Sequence, residues 1–296
     1  MKKNFTTMLA VTAAAAAAIT LSSCASDEAA GGGGGGLLGD IEAGTVTIGT
    51  KFDQPGLGLR TPDKSMTGLD VDVATYVVNE IAEKNGWDAP AIEWKESPSA
   101  QRETMIKNGE VDMIAATYSI NSSRAEAVNF AGPYLITHQA LLIRNNDDKI
   151  TSLKDLDKGG KLCSVSGSTP AQKVKDALPG VQLQEYDTYA SCVEALSQGS
   201  VDAITTDAPI LYGYASQYEG EFTVVEMTKD DGKPFTNEYY GIGVKKDDQA
   251  ATDAVNAALT EMYSSGDFAT IMADNLGADA KVVEEGTPGD LSFLKK

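Results

Sequence analysis

From Thr45 onward the chain alternates short β-rich runs with longer stretches whose apolar positions recur every three or four residues. Val46-Thr47-Ile48-Gly49 and Ile92-Glu93-Trp94 read as strands, and residues 70–85 between them read as an amphipathic helix. This alternation predicts an α/β fold. One local pattern occurs twice, as Met105-Ile106-Lys107-Asn108-Gly109-Glu110-Val111-Asp112-Met113-Ile114 and, 90 residues later, as Ala195-Leu196-Ser197-Gln198-Gly199-Ser200-Val201-Asp202-Ala203-Ile204. Each copy predicts a helix stopped by a C′ glycine, a short turn and a buried strand. Both predicted strands run into Thr, Ser or Asp, where open α/β sheets place ligands. Two such units imply two lobes that share a cleft. Ile150-Thr151-Ser152-Leu153-Lys154-Asp155-Leu156 leads into the second lobe, while a strand at 238–244 and a helix at 250–264 are expected to return and close the first.

The first two dozen residues follow different rules. Lys2 and Lys3 precede an alanine-rich apolar run over 8–21, the length of a signal-peptide core and short for a membrane span. The run ends in Leu21-Ser22-Ser23-Cys24, which resembles the bacterial lipobox, where the cysteine is diacylated and becomes the new N-terminus. Residues 1–23 are therefore expected to be a lipoprotein signal peptide and Cys24 the lipidation site. Two acyl chains suffice for stable anchoring. The next segment, 24–44, contains six glycines at 31–36 and is expected to be a flexible, lipid-anchored linker. Cys163 and Cys192 then remain in a chain exported to an oxidising compartment, so a disulfide is expected, with two buried free thiols as the alternative.

Composition narrows the function. The 296 residues carry 24 Lys plus Arg against 43 Asp plus Glu, a net charge of −19, and loss of 1–23 removes two lysines and no acid, leaving −21. That balance argues against nucleic acid as a partner, because phosphate binding rests on clustered Lys and Arg. With His138 as its single histidine, the chain cannot build a multi-histidine zinc site, and HExxH, GxSxG and GxxxxGK[ST] patterns are absent. Neither metal, cofactor nor catalytic residue is expected.

Three further stretches carry a family likeness: Gly68-Leu69-Asp70-Val71-Asp72-Val73-Ala74, Ala115-Ala116-Thr117-Tyr118-Ser119-Ile120-Asn121-Ser122-Ser123-Arg124, and Val128-Asn129-Phe130-Ala131-Gly132-Pro133-Tyr134. With Ser166-Gly167-Ser168-Thr169 and Thr206-Asp207-Ala208-Pro209, they resemble the polar-amino-acid solute-binding proteins (family 3) of ABC transporters, in order and over about residues 45–275. The Lys51-Phe52-Asp53-Gln54-Pro55-Gly56 segment resembles the glutamate-binding lipoproteins of actinobacteria. The resemblance implies a two-lobe periplasmic-binding-protein-like fold of type II, with two crossover strands as the hinge and the ligand in the interlobe cleft. Lobe I is then expected to comprise 45–138 and 234–296, and lobe II 139–233. A monomer on the extracytoplasmic face of the membrane, serving an ABC permease, is implied.

The same resemblance assigns site residues, each with a physical rationale. Arg124 matches the arginine that grips the ligand α-carboxylate with two parallel donors. Thr117 and Ser119 lie at a strand end within reach of the ligand's charged groups. Asp207, from the other lobe, matches the acceptor of the α-ammonium. Ser168 and Thr169, before Pro170 at a helix start, would offer donors to a carboxylate. Lys51 and Arg102 match positions that face the ligand side chain, with Ser99 adding a hydroxyl and Arg60 a substitute cation. Three cations against one carboxylate suit L-glutamate or a related acidic amino acid. Glutamine would leave a buried cation without a counter-ion. The rivals are a binder of a neutral polar amino acid such as glutamine, an enzyme on the same fold, and a sensor subunit.

Other features take plainer readings. Asp70 and Asp72 fit a helix N-terminal turn rather than a metal site. His138 lies near a crossover, Trp87, Trp94 and the tyrosines read as packing, and Ser292 and Lys295 sit at a terminus where chains fray.

Overall fold

The computed structural model describes residues 35–145 and 147–295. Two mixed sheets, each flanked by helices, form its two lobes. In the first lobe, β1 (Thr45–Thr50) pairs in parallel with β5 (Ala91–Glu96) and β6 (Met113–Ile114). The small antiparallel sheet of β2 (Asp53–Gln54), β3 (Gly58–Arg60) and β4 (Met66–Thr67) lies between β1 and the helix α2 (Leu69–Asn85). Along α2, Leu69, Val73, Val77 and Ile81 are buried, which is the stripe the periodicity predicts, and Gly86 ends the helix in the left-handed region at φ +72°. Its N-cap must be glycine: Gly68 has φ +124°, and a Cβ there would lie 2.2 Å from the Leu57 carbonyl oxygen.

The chain leaves this lobe along β7 (Asn129–Thr137), turns at His138 and enters the second sheet as β8 (Gln139–Arg144). That sheet has the order β10 (Gln182–Tyr186), β9 (Lys161–Val165), β11 (Ala203–Asp207), β8, β12 (Phe222–Glu226). It then returns through residues 227–237 into β13 (Glu238–Val244), antiparallel to β7 and β6. The helix α8 (Gln249–Ser265) packs against α2 and β7, α9 (Asp267–Leu276) follows it, and β14 (Glu284–Glu285) closes the sheet edge.

The repeated unit has a structural cause. Gly109 and Gly199 take φ of +69° and +72° after their helices, as C′ glycines do. The aspartate of each Gly-x-Val-Asp then accepts a backbone N–H from the neighbouring strand: Asp112 from Thr47 at 2.7 Å, Asp202 from Lys161 at 2.8 Å. Each repeat thus fixes where one parallel strand begins beside the next.

A disulfide joins Cys163 in β9 to Cys192 in α6 (Tyr189–Ser197). The apolar run over 8–21 and Cys24 lie outside the described residues, within which no helix is long and apolar enough to cross a membrane. Two expectations are corrected. The linker over 24–44 does not extend through its last part, because residues Gly36–Glu42 form α1 and bury Leu37 and Ile41, four apart, in the first lobe's core. The glycine run before them hid this apolar pair. The C-terminus is also docked rather than frayed: the Phe293 ring stacks on Tyr239 at 3.8 Å, and Leu291 and Leu294 cover the cluster around Tyr118 and Phe130.

Candidate ligand-binding site

The C-terminal ends of parallel strands in both lobes converge on one small cavity, nearly filled by its own lining side chains. From the first lobe come Ser99, after β5, and Thr117 and Ser119, after β6, with Arg102 at the start of α3 (Arg102–Lys107) and Arg124 in α4 (Ser122–Ala127). From the second come Ser168 after β9, Thr169 at the start of α5 (Thr169–Ala177), and Asp207 at the end of β11. Eight of the nine residues singled out from the sequence therefore line one space. The ninth, Lys51, stands behind Ser99, to whose Oγ its Nζ donates at 3.2 Å. Arg60 is exposed, over the Phe52 ring, and is not part of the cavity.

Three cations crowd the first-lobe wall. Lys51 and Arg102 are only 3% and 2% exposed. Burial and then the neighbouring Arg102 pull the Lys51 amine down to about 7. Burial and Arg124 likewise lower Arg102, to about 10. Arg102 donates to the Ala116 carbonyl at 3.0 Å and to Ser99 Oγ, and its Nε has no protein partner. Both guanidinium groups lie over the Tyr118 ring, 4.7 and 5.0 Å from its centre, an arrangement that favours cations. Arg124 also pairs with Glu103 at 3.2 Å and reaches across the cleft to the Gly167 carbonyl at 2.9 Å.

The second lobe answers with one carboxylate. Asp207 is 2% exposed; its Oδ2 accepts from Tyr240 at 2.6 Å, and its Oδ1 has no partner. Burial, reinforced by Glu238, pushes this carboxyl well above the usual range. Ser168 caps α5 by accepting the Ala171 N–H at 3.2 Å while still lining the cavity. The wall as a whole suits a small ligand with one cationic group and an excess of anionic ones.

Several contributors escaped the sequence reading. Asp70 does stand in the first turn of α2, but it is buried, accepting Tyr134 Oη at 2.5 Å and the Thr117 N–H at 2.7 Å. Burial raises it to about 6. These bonds hold Thr117 at φ +46°, an unusual conformation for a β-branched residue, which turns the chain from β6 into the site. The signal was present: 70, 74, 77 and 81 share a helical stripe with buried Ala74, Val77 and Ile81. Asp72 points elsewhere and binds Asn275 at 2.6 Å. Tyr189, taken as packing, lines the cavity and is in phase with buried Cys192, Val193 and Leu196. His138 pairs with Glu226 at 2.5 Å at the crossover, away from the cavity.

The sequence matches the family described as bacterial extracellular solute-binding proteins, family 3, over residues 46–278. It is 74% identical over 257 residues to the glutamate-binding protein GluB of Corynebacterium glutamicum, covering 87% of each chain. GluB of Corynebacterium efficiens is 73% identical, again with 87% of each chain covered. Among solved structures, an ancestral arginine-binding protein bound to glutamine superposes with a TM-score of 0.70 at 30% identity, over 79% of this chain and 98% of that one. The match over most of the chain, with two sheets meeting at one polar cavity, establishes that the protein belongs to the bacterial extracellular solute-binding proteins, family 3.

Proposed function

We propose that the protein captures L-glutamate, or a closely related acidic amino acid, outside the cytoplasm and delivers it to an ABC permease. The observation that carries this assignment is the charge around one cavity: Arg102 lines it and Lys51 stands behind Ser99, both without a carboxylate partner among the described residues, Arg124 is paired with Glu103, and Asp207 offers one partner-free carboxylate oxygen. In this assignment Arg124 and Ser119 hold the α-carboxylate, and Asp207 Oδ1 takes the ammonium. Arg102 Nε and the Lys51–Ser99 pair receive the side-chain carboxylate. Each ligand charge meets an opposite one, and the buried Lys51 and Arg102, which have no carboxylate partner among the described residues, gain a counter-ion when an anion arrives. The names of the two Corynebacterium relatives support the same ligand. No bond of the ligand is made or broken; closure over it is the signal a permease would read.

Calorimetric titration of the purified protein, stripped of endogenous ligand, with L-glutamate, L-aspartate and L-glutamine tests the assignment. Glutamate is expected to bind at least about a hundredfold tighter than glutamine, because a buried charge left without its partner costs about 3–5 kcal/mol. Equal binding of glutamine overturns the charge argument while leaving family membership intact.

Anchoring belongs to the same proposal: Cys24, after the apolar run, carries the lipid. Feeding cells an alkynyl fatty acid should label the wild type and not Cys24→Ser. Equal labelling of both overturns the anchor.

A further inference from the structure

Arg102 and Asp207 are almost fully buried on opposite walls of the cavity, so an amino acid can enter or leave only when the lobes part about the crossovers at 138 and 227–237. Contacts between the lobes therefore govern how long a ligand stays. Several of them belong to the site, such as Arg124 on the Gly167 carbonyl and Asp207 on Tyr240. One set stands apart from it.

Asp53 lies in β2 of the first lobe, two residues beyond Lys51. Its Oδ2 accepts the backbone N–H groups of Tyr189 and Ala190, at 2.9 and 3.1 Å. These are the first two residues of α6 in the second lobe. Tyr214, in α7 (Ala208–Gln217), donates its hydroxyl to the Asp53 carbonyl and lies 3.3 Å from the same Oδ2. The first N–H groups of a helix have no partner within it, and the local cap, Thr188, takes only the Ser191 N–H. Asp53 thus supplies across the cleft what the helix lacks, with a negative charge at the positive end of its dipole. The Cys163–Cys192 disulfide ties α6 to β9, so a hold on α6 is a hold on the lobe. Packing agrees: a Cβ on Gly213 of α7 would lie 2.3 Å from the Pro55 carbonyl oxygen, which brings α7 against the same hairpin.

We propose that Asp53 is a positioning residue that latches the second lobe over the ligand. It caps α6 only while the lobes are together, and it fixes Tyr189, whose ring lines the cavity, without touching the ligand itself. The latch rests on the amino-acid-binding assignment but not on the choice of glutamate.

The test is stopped-flow measurement of ligand association and dissociation for wild type, Asp53→Asn and Asp53→Ala, with whichever of L-glutamate and L-glutamine the wild type binds. Asp53→Ala is expected to dissociate roughly tenfold faster, the effect of losing one charged helix cap, and Asp53→Asn, which keeps a capping oxygen without the charge, by a smaller factor. Association should stay within about twofold, the order of ligand preference should not change, and ligand-free thermal midpoints should match wild type. Unchanged dissociation in Asn and Ala overturns the latch. So does a faster rate accompanied by an equal fall in ligand-free stability, which marks a merely structural role. A wild type that binds glutamine alone overturns the glutamate assignment and leaves the latch measurable; one that binds neither overturns both.

Discussion

Asp207→Asn should lower glutamate affinity by two to three orders of magnitude while leaving the ligand-free protein no less stable than wild type. The affinity loss follows from leaving the ligand ammonium buried without a counter-charge, which costs about 3–5 kcal/mol. The asparagine keeps its shape and can still accept the Tyr240 hydroxyl, now at 2.6 Å from Asp207 Oδ2, so the hinge side of the site should stay in place. The stability effect has the opposite sign. Burial and Glu238 hold the Asp207 carboxyl above its unfolded value, so the folded state binds a proton that the unfolded state has released. Stability from this group is present below the unfolded value and is lost as pH rises through the raised folded one. Asparagine removes that loss. Melting curves at pH 6 and pH 9, beside calorimetry at neutral pH, should show a variant that gains stability on the alkaline side as it loses its ligand. Wild-type affinity in Asp207→Asn would remove Asp207 from the ammonium site.

A function bought with instability is expected where like charges are gathered ahead of their ligand. Lys51, Arg102 and Arg124 stand close enough for each arginine to depress the Lys51 amine, and Glu103 on Arg124 is the one carboxylate paired directly with the cluster among the described residues. Such a cavity gains more from an anion than a neutral one would, which makes lobe closure conditional on the right ligand.

Much of this was legible in the chain because each signal was local. The two Gly-x-Val-Asp units marked helix ends and strand starts by residue type alone, and their aspartates proved to be strand-register devices. The strand-end argument marked Thr117, Ser119 and Asp207, since an open α/β sheet places ligands there, and the family resemblance supplied the rest of the wall. What was missed depends on tertiary partners. Asp70 reads as an ordinary first-turn carboxylate until Tyr134 and Thr117, 64 and 47 residues away, are seen to donate to it. Leu37 and Ile41 are two apolar residues behind six glycines, too few to outweigh a linker composition until a core is there to receive them. Asp53 carries no motif of its own; only the approach of α6 from the other lobe gives it a role.

The largest pH effect should come from Lys51. Its amine is drawn down to about 7, so near neutral pH it gives up its proton readily and takes one up when a side-chain carboxylate arrives. Glutamate affinity should therefore fall above about pH 8, where Asp207 is also ionised, approaching tenfold per pH unit, whereas glutamine affinity should not follow that limb. Below about pH 8 Asp207 holds its proton against the incoming ammonium, so the two effects offset each other between about pH 7 and 8 and affinity falls on the acid side of pH 7. Lys51→Met should lower glutamate affinity about a hundredfold at neutral pH, the range for truncating one partner of a buried charge pair, and abolish the alkaline limb. Glutamine affinity should change only a few-fold. The stability sign separates this from damage to the fold. A lysine depressed in the folded state lets the unfolded chain bind the extra proton between about pH 7 and 10.5, so wild-type stability rises with pH across that window. Methionine removes the dependence and should be the more stable of the two at pH 7 and below. A Lys51→Met protein that keeps the alkaline limb, or loses both ligands equally, would place the side-chain carboxylate away from Lys51 and leave Arg102 as its partner.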